Sequence, residues 1–313
     1  MPCCSGKPLS HRFVFASLAT AMALLSQISQ AQTNNTATGT NALHSITTGS
    51  YNTADGMDTL FSDTTGDYNS AIGYAALYFN TIGQGNAANG YTALYTNTTG
   101  SFNTANGAEA LFFNTNGYNN TANGYTALLY NSTGNNNTAN GAQALASNTI
   151  GNYNTANGSA ALYLNTTGSN NVAIGFQSLF FNTTGNGNIA IGVNALFANT
   201  TGGYNISTGS DTLSHNTTGN FNTAYGADAL FSNTVGANNV ANGYQALNKN
   251  TTGGANVANG VNALYNNLSG GSNTASGANA LYANVNGNAN SASGSYALYK
   301  NGSGSYNTAS GYA

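Results

Sequence analysis

An Asn-x-Ala-x-Gly pentad begins at Asn35 and returns every 17 residues as far as Asn307, with no insertion or deletion between copies. A short period that tolerates no insertion means that each copy sits on its neighbour in register, which restricts the chain to a solenoid. Sixteen full repeats and seven further residues fill positions 35–313. The first position is Asn and the fifth Gly in all seventeen copies, and the third is Ala except at Ser207. The ninth position is Leu in all sixteen complete repeats, Leu43 to Leu298, and the fifteenth is Gly, Gly49 to Gly304.

Two Gly per repeat, Asn at several positions and Thr pairs leave no uninterrupted run of helix formers and no 3.6-residue stripe, so the coils are not helical. Stacked strands fit: the sequence predicts an all-β chain, a parallel β-solenoid or β-roll of about seventeen 17-residue rungs. At ~4.8 Å per rung the rod is about 80 Å long. Asn-x-Ala-x-Gly reads as a short strand with Ala inward, and Gly at positions five and fifteen is expected to supply the positive φ of tight corners. Identical Asn side chains one rung apart can bond amide to amide in a ladder. Asn at position twelve, in fourteen of sixteen repeats, precedes Thr-Thr-Gly and marks a second corner.

The second half of the repeat resists a simple alternation. Asp58, Glu109, Asp211 and Asp228 at position seven, with Lys249 and Lys300 at position eleven, should face water, yet the Leu column shares their parity. A bend or bulge is expected there, or the Leu column is buried outside its own coil. Position ten, of opposite parity, is aromatic in eleven of sixteen repeats, from Phe61 to Tyr299. So thin a coil has room for one large side chain per rung, so one of the two columns is expected to pack between chains. Positions six, seven, eleven and sixteen vary and are expected to form the outer surface.

Composition excludes several classes. Charged residues are 4% of 313, while 20 Tyr and 13 Phe run throughout, which is the opposite of a disordered chain. Four Lys and Arg cannot form the basic stripe that nucleic acid requires. Lys7, His11 and Arg12 precede an apolar stretch from Phe13 to Leu25, and Ser29-Gln30-Ala31 has the small residues of a cleavage site. Residues 1–31 are therefore expected to be a signal peptide and 32–313 the β-solenoid domain, exported, without a membrane span. Cys3 and Cys4 would be lost, leaving two Lys against seven acids, a net charge of −5, and no disulfide.

Chemistry is sparse. His44 and His215 lie ten rungs apart, and without Cys they offer no metal cluster within one chain. Asp55, Asp58, Asp63 and Asp67 crowd one repeat but lack the calcium-loop spacing, and read as a solvated acidic rung. Asp211 and Asp228 stack on adjacent rungs, where a bound cation or exposure to water would relieve their repulsion. No Ser or Thr has a positioned base beside it. The Asn-x-Thr sites at Asn97, Asn165, Asn182 and Asn216 read as corner chemistry rather than glycan acceptors. No catalytic, cofactor-binding or metal residue is nominated, no cofactor is expected, and the chain is not read as an enzyme.

The segments Asn171-Val172-Ala173-Ile174-Gly175, Asn188-Ile189-Ala190-Ile191-Gly192 and Asn69-Ser70-Ala71-Ile72-Gly73 resemble the head repeat of YadA-like trimeric autotransporter adhesins. The resemblance implies a homotrimer of β-rolls at the bacterial cell surface or outer membrane, binding a host or matrix protein or a glycan. Here the period is longer than the family's, and most rungs carry Asn in place of Ile, as at Asn106, which makes an interface on that column more polar. No heptad stalk or barrel strands follow the repeats, so a truncated head, a secreted chain held by a partner, and uncapped ends stacking into filaments are the expected alternatives. A second reading is an ice-binding or other lattice-matching solenoid built on Thr at positions two and thirteen, although Val172, Ile189, Ile206, Val240 and Val257 break the first of these rows. A polysaccharide-acting enzyme ranks last, for want of clustered carboxylates.

Overall fold

The computed structural model describes residues 34–312. The expected signal peptide lies outside these residues. Seventeen three-residue strands run from β1 (Thr36–Thr38) to β17 (Thr308–Ser310), one per repeat. Each pairs in parallel with the strand 17 residues further on, Ala37 opposite Ala54 at one end and Ala292 opposite Ala309 at the other, and all lie in one sheet. The β-solenoid reading therefore holds.

Within each strand the side chains alternate as the pentad requires. The central Ala is buried in nearly every rung, while its neighbours at positions two and four point outward. Gly at position five ends the strand, with φ of +135° at Gly141, where an added Cβ would lie 2.6 Å from the Gly158 oxygen of the next rung. Both the conformation and the space exclude a side chain.

Only one strand forms per rung. Positions six to eleven are consecutive turns, and two of them are left-handed: position seven (φ 58° at Glu109) and the Leu at position nine (φ 53° at Leu111). These two reversals, rather than a bulge in a second strand, give position seven and the Leu different environments despite equal parity. Left-handed backbone costs an L-residue about 1–2 kcal/mol. Full burial of a Leu side chain stabilises by about 1.5–3 kcal/mol, which offsets most of the two reversals, and the backbone bonds that both residues make to adjacent rungs, Glu109 N to Tyr91 O (2.9 Å) and Leu111 N to Ala127 O (3.0 Å), add to it. From Leu60 to Leu281 every Leu of the column is fully buried, beside the Ala of positions three and eight. The Leu column thus fills its own coil, and the aromatic column is the one left outside.

Two Asn columns complete the interior. Asn131 Nδ2 donates to Asn114 Oδ1 one rung back (2.8 Å) and to Gly134 O (2.9 Å), while its Oδ1 accepts from Asn148 Nδ2 (2.8 Å). Asn120, from the first column, donates through its backbone N–H and Nδ2 to Asn103 Oδ1 (3.0 and 3.1 Å) and through Nδ2 to Gly134 O (2.8 Å). These amides are buried yet fully engaged, which turns a desolvation cost into a register lock. The Gly at position fifteen differs from the sequence expectation. It has no positive φ. It is glycine for want of room: a Cβ on Gly134 would meet Gly151 O at 2.5 Å and Asn148 Nδ2 at 2.7 Å.

Candidate functional site

With Leu, Ala and Asn inside, the rod presents two candidate surfaces. The first is the outer face of the sheet, made by positions two and four. Over β5 (Thr104–Asn106) to β8 (Thr155–Asn157) it repeats Thr and Asn. The exposed Asn side chains form their own ladder there, Asn106 Nδ2 to Asn123 Oδ1 at 2.8 Å and Asn123 Nδ2 to Asn140 Oδ1 at 2.7 Å. The face then turns apolar over β9 (Val172–Ile174) and β10 (Ile189–Ile191). Ile174 and Ile191 are each 38% exposed, and Phe176 and Val193 at position six extend the patch at 51% and 46%. An apolar patch of this kind on an otherwise polar sheet face is a candidate contact surface.

The second surface is the aromatic column at position ten. Its rings stack one rung apart: His44 on Phe61 (4.7 Å), Phe61 on Tyr78 (5.0 Å), Tyr78 on Tyr95 (5.3 Å) and Tyr95 on Phe112 (5.0 Å). Phe79 and Phe113 from position eleven meet the column edge-on. Each such contact contributes about 0.5–1.5 kcal/mol beyond area burial. The rings face one another along the rod, so their edges rather than their faces meet solvent.

The ionisable groups do not converge. Of the four Asp of the acidic repeat, Asp55 lies on the outer sheet face and Asp58 accepts from Asn41 Nδ2 (2.9 Å). Asp67 accepts from Ser50 N (2.7 Å). Asp63 is fully buried in the position-twelve ladder, so the solvated acidic rung of the sequence reading is wrong for this residue. Its Oδ1 takes bonds from Gly66 N (3.0 Å) and Asn80 Nδ2 (3.2 Å), and its Oδ2 has no partner. Burial, helped by the charge of Asp67, pushes the Asp63 carboxyl up to about 7 against the lowering effect of those two bonds. Asp211 takes bonds from Asn194 Nδ2 (3.1 Å) and Ser210 Oγ (2.9 Å), and Asp228 from Gln245 Nε2 (3.3 Å), so amides and a hydroxyl answer their charges. Among the described residues no group of three or more His, Cys, Asp and Glu is placed to hold a metal. His215 turns its ring edge-on to Phe231 (4.5 Å), far along the rod from His44.

The Asn-x-Thr sites are resolved structurally. Asn97, Asn165, Asn182 and Asn216 are fully buried ladder members, inaccessible to glycan transfer in the folded chain. The position-thirteen Thr hydroxyls direct their protons to the next rung, Thr98 Oγ1 donating to Thr115 O (3.1 Å), so that row can only accept from water. No family model matches the chain, nor does any curated protein or solved structure.

Proposed function

We propose that this chain is an exported bacterial surface adhesin or fibre head, without catalysis, that assembles as a homotrimer through the outer face of its sheet. The observation that carries the reading is the apolar stretch at β9 and β10, where Ile174 and Ile191 project from the sheet and, among the described residues, no element covers them. Copies packed there would bury the Ile rows, and the neighbouring Asn rungs would lie beside them as a polar seam. The aromatic edge and the corners stay outward to meet a receptor, a host or matrix protein or a glycan. The ring edges suit contact with protein better than the broad face-on platform that a sugar requires. Export and attachment at the cell surface rest on the segment preceding the repeats and on the head-repeat resemblance.

Ile174→Asp combined with Ile191→Asp should leave the circular dichroism of the rod intact and reduce its mass in solution to that of one chain. A wild-type chain that is already monomeric would refute the trimer.

A second reading has one observation in its favour. Over β5 to β8 the outward rows are uniformly Thr and Asn at rung spacing. Such a lattice is the requirement for ordering surface water, and thermal hysteresis in a freezing assay would favour it over the adhesin.

A further inference from the structure

The aromatic column is interrupted at Asn248, which stands where most rungs carry a ring. Adjacent rings elsewhere stack at 4.7 to 5.5 Å. Phe231 and Tyr265 lie two rungs apart, roughly 10 Å, with no ring between them. The column also lacks a ring at Leu129, Ala146 and Ser214: beside Ser214 the His215 ring reaches over Phe231, and a cleft of about 200 Å³ beside Leu129, lined by Glu109, Phe112, Phe113, Leu129 and Tyr130, has a carboxylate but no cation. At Asn248 a cleft of about 210 Å³ is lined by both an acid and a base, Asp228 and Lys249, with Phe231, Gln245, Asn248 and Tyr265. The buried Asn248 forms its floor, held by a 2.9 Å bond from Nδ2 to Asp228 O. Lys249 Nζ stands 5.9 Å from the centre of the Tyr265 ring, and Asp228 also lines the opening, one oxygen bonded to Gln245.

We propose that this cleft is a binding slot for a free aromatic amino acid, whose ring takes the vacant place in the stack between Phe231 and Tyr265. An inserted ring would lie about 5 Å from each neighbour, the spacing that the column already uses. Its ammonium group would meet Asp228 and its carboxylate Lys249, which supply the only pair of opposite charges on this stretch of a chain with 4% charged residues. The planar ring selects against saturated side chains, and the two charges select the zwitterion over amines or acids alone. The slot is independent of assembly through the sheet, which uses a different face.

The test is a titration of the full chain with L-phenylalanine, followed by saturation-transfer NMR. Saturable binding in the millimolar range is expected, with the ring protons most strongly saturated. Phenethylamine, which lacks the carboxylate, should bind at least threefold more weakly and be indifferent to Lys249→Gln, whereas that substitution should weaken phenylalanine. Asn248→Phe fills the slot with an aromatic ring, as eleven other rungs have, and should abolish binding while the melting curve is kept. Absence of saturable binding to the wild type, or binding that survives Asn248→Phe or ignores Lys249→Gln, would overturn the slot. A change of oligomer size alone would bear on assembly and not on this site.

Discussion

Asp63 stands at the end of the amide ladder that runs from Asn80 to Asn301, and its replacement by Asn gives a perturbation whose size follows from the structure. At the next rung Asn80 Nδ2 donates to Gly83 O (3.0 Å); the corresponding atom of Asp63 is Oδ2, which has no partner. A protonated Oδ2 can donate to the Gly66 carbonyl as an amide would, whereas an ionised one faces that oxygen with a buried charge. The carboxyl is raised from 3.8 to about 7. A raised folded-state value means that the native chain binds the extra proton, so stability is fully present below about 3.8 and falls as pH climbs through 7. About three pH units at about 1.4 kcal/mol each set an upper bound of about 4 kcal/mol on the loss, complete near pH 8.

In a solenoid that loss is local, because each rung contacts only its neighbours. It should appear as a 10²- to 10³-fold rise in the opening constant of amides such as Leu60 N–H and Leu77 N–H between pH 4 and 8, measured by hydrogen exchange corrected for intrinsic rates. Asp63→Asn should flatten that dependence and protect the same amides more strongly at pH 8. Equal pH slopes in the two proteins, or a wild type better protected at pH 8 than at pH 5, would refute the argument.

Four further substitutions probe the interior and the outer ladder. Asn131→Ala removes three buried hydrogen bonds and takes from Asn114 Oδ1 its donor, while Gly134 O keeps Asn120 Nδ2 and Asn148 Nδ2 keeps Gly151 O, with an expected cost of about 2–3 kcal/mol in chemical denaturation. Asn106→Ala breaks only an exposed ladder bond and should cost less than about 1 kcal/mol by the same measurement. Gly141→Ala forces a Cβ to within 2.6 Å of Gly158 O at φ +135°, and its melting curve should show a loss of at least about 2 kcal/mol. Leu196→Asp places a carboxylate in a fully buried site, forfeits about 1.5–3 kcal/mol of burial and adds a larger desolvation cost. The rungs around Leu196 should lose their exchange protection.

The period, the inward Ala, the glycine ending each strand and the Asn ladders are all legible in the sequence, because each repeats and each has one physical explanation. The Leu environment was not. Whether Leu or the ring lies inside depends on left-handed backbone at Glu109 and Leu111, and nothing in either side chain announces a conformation that L-residues avoid. Gly134 was assigned the wrong cause for a related reason: a glycine needed for space and one needed for φ look alike in a sequence. Asp63 read as solvated because its acidic neighbours suggested an exposed rung, although its place in a column of Asn was the better guide. The slot at Asn248 becomes visible only once the rings on either side are known to stack.

The most direct test of the account is the mass of the full-repeat chain in solution, by light scattering coupled to size exclusion, with circular dichroism on the same peak. The account expects a β-rich species of three chains that the paired Ile174→Asp and Ile191→Asp changes reduce to one. A β-rich wild-type monomer would contradict it.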